Sequence, residues 1–320
     1  MEVECLIVSD GTKGMENQSI ALSKLMKLNF QILTIKPSFI LRIFPKLAIY
    51  FDFIFVNEKK YFNNFKFKYL ITTGKRTSGY SILAKKIFGK KIINIHIQNP
   101  KINLTNFDIL LTPDHDKVFG KNVFKFEGSL SFFNEKDIKK SYSLIKKELD
   151  LFKKPLIFLL IGGDNKRYKL TYSEYCKFLL DIKLAVEKIS GTLVISPSRR
   201  TPEKVGIIIR EIFNSSENFY LMKEEVKNFY PGILQIANYV LITSDSINMI
   251  SEVATTKVNL FVYHLRQEKN KILKFHQSFE NKIYIKRFTG DLFNYNKKQL
   301  LQNNLIKKKV LSYIKKNLSK

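Results

Sequence analysis

Several short stretches of this chain gather the residue types that handle phosphate. "LIGGDNKRYKLT" (160–171) runs an apolar segment into Gly162 and Gly163 and then sets down Asp164, Lys166 and Arg167. Glycine permits a tight turn or close backbone approach, and backbone N–H groups beside cations suit an anion. "ISPSRRTPE" (195–203) places the hydroxyls of Ser196 and Ser198 ahead of Arg199 and Arg200, with Thr201 as a helix cap. A guanidinium fork matches a diphosphate. "ITSDSINMISE" (242–252) puts Ser244, Asp245 and Ser246 at the mouth of a strand. The helix that follows turns its positive dipole end to that mouth. Glu252, one to two turns in, is placed to accept hydrogen bonds from a ribose diol. "ITTGKRTSG" (71–79) repeats the basic junction earlier in the chain, with Gly74, Lys75, Arg76 and Thr77. None of these is a Walker A loop or a GxGxxG fingerprint. Singly, each also reads as a plain turn, a capped helix with solvated arginines, or a surface acid.

General-base chemistry needs an acid or an imidazole within reach of a hydroxyl. "PDHD" (113–116) offers Asp114 and His115, and the polar turn "SDGTKGMENQ" (9–18) offers Asp10 between Ser9 and Gly11. With no second histidine at helical spacing from His115, no metal site is expected. His96 reads as a packed strand residue, His264 ends a strand and His276 sits in a helix, and none of the three is assigned to catalysis.

The elements that must hold these residues alternate. Strand patterns at 30–35, 91–98 and 108–113, with "VECLIVSDG" and "YLITTG", interleave with helical patterns at 17–29, capped by Asn17, and near 79–88. The scheme returns with strands at 155–164, 239–246, 259–265 and "GTLVISPS", and helices at 173–190, 202–213 and 247–256. Alternation of this kind means parallel βαβ units. The reading is an α/β chain of two doubly wound domains, 1–150 and 151–296, with a seam in the lysine-rich stretch 134–155 and a basic helical tail at 297–320. Ligands of open parallel sheets bind beyond the carboxyl ends of the strands, which is where every stretch above falls.

Composition bounds the rest. A chain of 320 residues suits two domains. Its formal charge is +27, but only eight of its 55 basic residues are arginine, and tryptophan is absent. That is the look of an AT-rich genome, in which lysine accumulates on solvated faces. No nucleic-acid module is present, and no specific nucleic-acid partner is expected. Cys5 and Cys176 are the only cysteines, which fits a reducing compartment. "MEVECLIVSDG" carries acids where a signal peptide carries cations, so a cytoplasmic protein is expected. "PSFILRIFPKLAIYFDFIFV" (37–56) holds Arg42, Pro45, Lys46 and Asp52 and is too interrupted to span a bilayer. It is expected either to pack into the first domain or to rest peripherally on an anionic membrane surface.

Taken together and in order, "SDGTKGMENQ", "TGKRTSG", "IHIQNPKINLTNFDILLTPDHD", "LIGGDNKRYKLT", "SPSRRTPE" and "TSDSINMISEVATT" resemble the bacterial relatives of the plant mitochondrial-fission protein of the elongated-mitochondria type. The resemblance covers about 250 residues. It implies the GT-B architecture, two Rossmann-like domains facing across a cleft, and a glycosyltransferase activity. "SDSINMISEVATTKVNLFVY" is further similar to the donor half of GT-B enzymes such as the lipid-linked N-acetylglucosamine transferase of peptidoglycan synthesis, whose helix glutamate maps to Glu252. Where that pattern continues A-x-G-x-P, this chain reads "ATTKVN", without Gly or Pro. The implied reaction is inverting and metal-independent, and it uses a nucleotide-diphosphate sugar as substrate with no cofactor. The donor side would comprise Gly162, Gly163, Asp164, Lys166, Arg167, Ser196, Ser198, Arg199, Arg200, Ser244, Asp245, Ser246 and Glu252. Gly74, Lys75, Arg76 and Thr77 would bind a lipid-linked or cell-envelope glycan acceptor such as a lipopolysaccharide core, with Asp114, His115 or Asp10 as base. The alternative is a non-enzymatic GT-B-like adaptor for membrane or division proteins.

Overall fold

The computed structural model describes residues 3–63, 65–131, 135–164, 169–214, 216–222, 229–265 and 270–318. The chain divides into two compact units, Met1–Phe132 with Leu301–Lys320, and Phe133–Leu300.

Unit 1 is built on six parallel strands: β1 (Cys5–Ser9), β2 (Phe30–Thr34), β3 (Tyr69–Thr73), β4 (Ile93–Ile97), β5 (Ile109–Pro113) and β6 (Val123–Phe126), in the order β2-β1-β3-β4-β5-β6. Helices α1 (Lys13–Met26), α2 (Phe39–Ile43), α3 (Leu47–Tyr50), α4 (Val56–Lys60) and α5 (Lys75–Phe88) lie between its first four strands. The period-two alternation of a strand sends Cys5 and Ile7 to one face and Leu6 and Val8 to the other. Both faces are buried cores, as a parallel sheet with helices on both sides requires.

Unit 2 opens with α6 (Glu135–Leu144) and α7 (Lys146–Leu149) and continues through β7 (Leu156–Ile161), α8 (Tyr172–Lys188), β8 (Thr192–Pro197), α9 (Glu203–Phe213), β9 (Phe219–Leu221), α10 (Phe229–Ile233), β10 (Tyr239–Thr243), α11 (Ile247–Ala254), β11 (Asn259–Tyr263), α12 (Asn270–Asn281) and β12 (Lys286–Arg287). Its parallel strands run β12-β11-β10-β7-β8-β9. On β7, Leu156, Phe158 and Leu160 enter one core while Ile157, Leu159 and Ile161 enter the other. The fold class is therefore the expected one, two doubly wound α/β units.

Their limits differ from the sequence reading. The division falls after Phe132 rather than near residue 150. The seam stretch is helical but belongs to unit 2, where α6 buries Ile138 and Ser141. A Cβ on Gly232 of α10 would lie 3.3 Å from the Ser141 carbonyl carbon, so the two helices are in contact. The tail is not a separate element either. α13 (Asn303–Asn317) returns to unit 1 and buries Ile306, Val310 and Ile314, one stripe at four-residue spacing, in the β1 core. Just before it, Gln302 brackets Glu127, accepting from its N–H at 2.6 Å and donating to its carbonyl at 2.8 Å.

Two helices start earlier than their apolar periodicity indicated. α1 begins at Lys13 after Thr12, not at Asn17, and α5 begins at Lys75 after Gly74. In both, the first turns carry buried polar or small residues, Glu16 and Gln18 in α1 and Thr77, Ser78 and Gly79 in α5, so hydrophobicity does not mark them. The edge strands β6, β9 and β12 are short and were not legible as strands. His96 is fully buried on β4, 2.7 Å from Thr72 Oγ1, and burial pushes its imidazole down to about 3. It is a packed, neutral strand residue.

Candidate functional site

Each sheet has one point where strand order reverses, and that is where an open α/β sheet leaves a crevice beyond its strand ends. In unit 2 it lies between β7 and β10. The segment after β7 holds Gly162 and Gly163, and the one after β10 holds Ser244, Asp245 and Ser246. The glycines are needed for protein contacts. A Cβ on Gly162 would lie 2.1 Å from Asp245 Oδ1, and one on Gly163 would lie 2.0 Å from the Arg200 carbonyl carbon. No side chain fits in either place.

The same groups consume one another's hydrogen bonds. Gly162 N donates to Thr243 Oγ1 at 2.7 Å, Gly163 N to Asp245 Oδ2 at 3.1 Å, and Asp164 N to the Arg200 carbonyl at 3.1 Å. Thr243 and Ser246 hydroxyls also donate to Asp245. Arg200 closes the knot, with Nη2 3.1 Å from Asp245 Oδ2 and 3.4 Å from Ser246 Oγ. The loop thus reads differently from the sequence expectation. Its backbone N–H groups at 162–164 are spent inside the protein, and the buried Asp245 is neutralised by Arg200 rather than facing a ligand.

What remains open to a ligand is narrower. Arg199 is exposed and has no hydrogen-bond or ion-pair partner among the described residues. Ser198 Oγ accepts from Arg200 N at 3.2 Å and lies 3.1 Å from Thr201 Oγ1. Thr201 is tied back to the carbonyls of Ile161 and Gly162 and does not cap α9, whose N-cap position is Pro202. Ser196 is half-buried on β8. Ser244 is fully buried and structural; its Oγ accepts from Leu265 N at 3.3 Å and its carbonyl lies 3.1 Å from His276 Nε2. The first turn of α11 follows Ser246, and the positive end of the helix dipole lies there. Glu252, on α11, accepts from Tyr230 Oη at 3.1 Å, and burial pushes its carboxyl up to about 7. Lys166 and Arg167 lie outside the described residues. A larger hollow of about 690 Å³, lined by Asp181, Tyr263, His264 and Arg287 among others, sits on the β11–β12 side, away from the reversal point.

Unit 1 reverses between β1 and β3. Here Asp10, after β1, meets Arg76, in the first turn of α5, at 3.2 Å, and Asp10 also accepts from Thr12 N at 3.0 Å. Gly74 is the residue before α5, with φ of +81°, and a Cβ there would be 3.7 Å from Gln98 Oε1. Lys75 is exposed beside it, while Thr77 is buried, donating to the Thr73 and Gly74 carbonyls. The sequence reading overlooked Glu16, a carboxylate at this mouth that is only 5% exposed, bonded by Ser9 Oγ at 2.8 Å and by Lys13. Its signal was a lone acid a few residues past a strand-end turn. Asp114 is exposed and His115 half-buried on the turn after β5. From β1 across β3 and β4 to β5 is three strand spacings, roughly 14 Å, so Asp10 and Asp114 cannot both serve one oxygen atom. Among the described residues no three His, Cys, Asp or Glu side chains gather as a metal site, and no helix is long and apolar enough to cross a membrane.

Comparison with known proteins accords with this architecture. The UDP-GlcNAc 2-epimerase of Neisseria meningitidis, solved with UDP-GlcNAc bound, superposes with a TM-score of 0.58 at 14% identity, covering 99% of this chain and 100% of that one. The two share a fold. The mitochondrial fission protein ELM1 of Arabidopsis thaliana is 25% identical over 246 residues, 69% of this chain but 57% of the plant protein, so the match spans little more than half of that relative. Protein RP120 of Rickettsia prowazekii, uncharacterised, is 25% identical over 292 residues, 81% of this chain and 82% of that protein. The family model described as mitochondrial fission ELM1 matches residues 13–313, nearly the whole length: this chain belongs to the mitochondrial fission ELM1 family.

Proposed function

We propose that the protein is a metal-independent glycosyltransferase that binds a nucleotide-diphosphate sugar at the β7–β10 reversal point of unit 2. It passes the sugar to a lipid-linked or cell-envelope glycan held by unit 1, on the cytoplasmic side of a membrane. The observation that carries the reading is that Arg200 bonds Asp245 and Ser246 at the start of α11, the helix that carries Glu252, while the adjacent Arg199 is exposed and has no hydrogen-bond or ion-pair partner among the described residues. Arg200 and Asp245 cancel, so the excess positive charge that a diphosphate would meet comes from Arg199 and the helix end. Glu252, which accepts from Tyr230, would accept from the ribose diol. The solved neighbour with UDP-GlcNAc bound supports a nucleotide sugar as ligand. In the reaction the acceptor hydroxyl attacks the anomeric carbon, its proton passes to Asp10, Asp114 or His115, and the nucleoside diphosphate leaves against the cations.

Titration calorimetry with uridine and guanosine diphosphate tests it on wild type and Arg199→Ala. One nucleotide should bind the wild type, and the variant should lose a charged pairing of roughly 1.5–3 kcal/mol. A specific observation favours the rival, non-enzymatic adaptor: the N–H groups of Gly162, Gly163 and Asp164 are already bonded, which leaves a phosphate less to hold. A wild type that binds no nucleotide and turns over no nucleotide sugar puts that reading first.

A further inference from the structure

Unit 1 carries a surface that includes none of the strand-end residues described above. Between β2 and β3 the chain lays α2, α3, a 3-10 turn at Asp52–Ile54 and α4 alongside α5. The layer is pinned from beneath. Leu41, Ala48, Phe55 and Phe62 are buried in the core on that face. A Cβ on Gly79 of α5 would lie 3.2 Å from Leu41 Cδ2, and Asp52 is held by Lys59 at 2.7 Å and Lys86 at 2.8 Å. Its outer side is nonetheless apolar. Phe39 is 74% exposed, Phe44 59%, Tyr50 70% and Phe53 66%, with Ile40 and Ile54 exposed between them. Scattered exposed apolar residues need no explanation, but a run of them within one short layer does. Buried packing, one of the two sequence expectations for this stretch, accounts for its inner residues alone.

Charge identifies what the outer side meets. From Lys36 to Phe51 there is no acid. Lys36, Arg42, Lys46 and Lys60 are all exposed, and of the two acids that follow, Asp52 is bridged by two lysines and Glu58 is half-buried. Aromatic rings interspersed with unpaired cations, on a rigid support and with no spanning helix among the described residues, fit the headgroup region of an anionic bilayer. We propose that residues 36–61 form a platform that seats unit 1 reversibly on an anionic membrane surface, the aromatic rings entering the headgroup layer and the cations meeting lipid phosphates. This surface is independent of nucleotide binding. Joined to the sugar-transfer reading, on which this one clause rests, it places a bilayer beside α5, whose first turn carries Lys75 and Arg76, and so points to an amphipathic acceptor with an anionic head.

The absence of tryptophan supplies the test. Phe53→Trp installs a single reporter on the platform, and Ile207→Trp, at an exposed position on α9 of unit 2, serves as its control. Added phosphatidylglycerol-containing vesicles should shift the emission of the first to the blue and leave the second unchanged; phosphatidylcholine vesicles should do little to either. In co-sedimentation, Phe39→Ser/Phe44→Ser/Phe53→Ser should weaken vesicle binding roughly ten-fold or more. Arg42→Glu/Lys46→Glu should remove the preference for anionic lipid. Unchanged emission from the Phe53→Trp variant, or a serine variant that binds like wild type, overturns the platform. So does a wild-type dimer that the serine variant converts to monomer, since a second copy would then occupy the patch. Nucleotide affinity measured on the same variants bears on the sugar-transfer reading alone, because no substituted residue lies in unit 2's site.

Discussion

Replacing Glu252 by Gln should stabilise unit 2 and weaken its ligand binding at the same pH. The Glu252 carboxyl is raised from 4.5 to about 7 by burial, against which the Tyr230 hydrogen bond acts only in part. A carboxyl raised in the folded state holds its proton when the unfolded chain has already released it. Folding stability therefore falls as pH rises from 4.5 to about 7 and stays low above that. At 1.36 kcal/mol per unit the loss reaches about 3 kcal/mol. Glutamine is neutral throughout and its Oε1 still accepts from Tyr230, so Glu252→Gln should match wild type near pH 4 and exceed it by about 3 kcal/mol at pH 8. For a unit of this size that is roughly 6–12 °C in melting temperature. Nucleotide affinity should move the other way: in wild type it should rise with pH through about 7 as the carboxylate forms, and in Glu252→Gln it should lie roughly ten-fold or more lower and lose that dependence. Calorimetric melting and titration across pH 4–9 measure both. A variant less stable than wild type at pH 8, or a gap of constant size at all pH values, refutes the reasoning.

Gly163→Ala puts a methyl group into the Arg200 backbone and should lower unit 2's stability by about 1–3 kcal/mol, read as a reduced urea midpoint. Asp10 and Asp114 stand too far apart to share a role, so in a turnover assay at most one of Asp10→Asn and Asp114→Asn should lose rate, by 10²–10⁴-fold, while keeping donor affinity, and if neither does the loss should fall on His115→Asn. Equal losses in both would show that neither is the base.

The sequence made the architecture legible because each central strand is a short, nearly continuous apolar run, as burial on two faces demands. It failed where burial does not declare itself by hydrophobicity. α1 and α5 open with polar or small residues that are buried at the strand ends, and β6, β9 and β12 lie at sheet edges and are only 4, 3 and 2 residues long, too short to show an alternation. The return of α13 to unit 1 is written in the spacing of Ile306, Val310 and Ile314, but no spacing says which of two cores a stripe will join. Site residues could be placed at strand ends from sequence alone. Which of them point at a ligand could not, because that depends on hydrogen bonds between loops far apart in the chain, such as Gly163 to Asp245 and Arg76 to Asp10.

The two basic junctions share one device. In each, one arginine is bound by an aspartate from a strand end on the other side of the reversal point, Arg200 after β8 by Asp245 after β10 and Arg76 after β3 by Asp10 after β1, at 3.1 and 3.2 Å. In each, the adjacent cation, Arg199 or Lys75, is exposed and without a side-chain partner among the described residues. One member locks the loop and the other is left for an anion, so neighbouring substitutions should separate cleanly. Arg200→Ala strands a carboxylate whose side chain is 0% exposed. Gly163 N, Thr243 and Ser246 still donate to it, and Arg200 itself is 47% exposed, so the loss should be about 1–3 kcal/mol rather than the larger figure for a fully buried pair. Arg199→Ala removes no hydrogen bond or ion pair among the described residues and should leave the melting temperature within about 1 °C while lowering nucleotide affinity. Melting and titration on the two variants give the comparison. If Arg199→Ala destabilises and Arg200→Ala does not, the division of labour is reversed. If neither changes nucleotide affinity, the basic pair serves the fold alone.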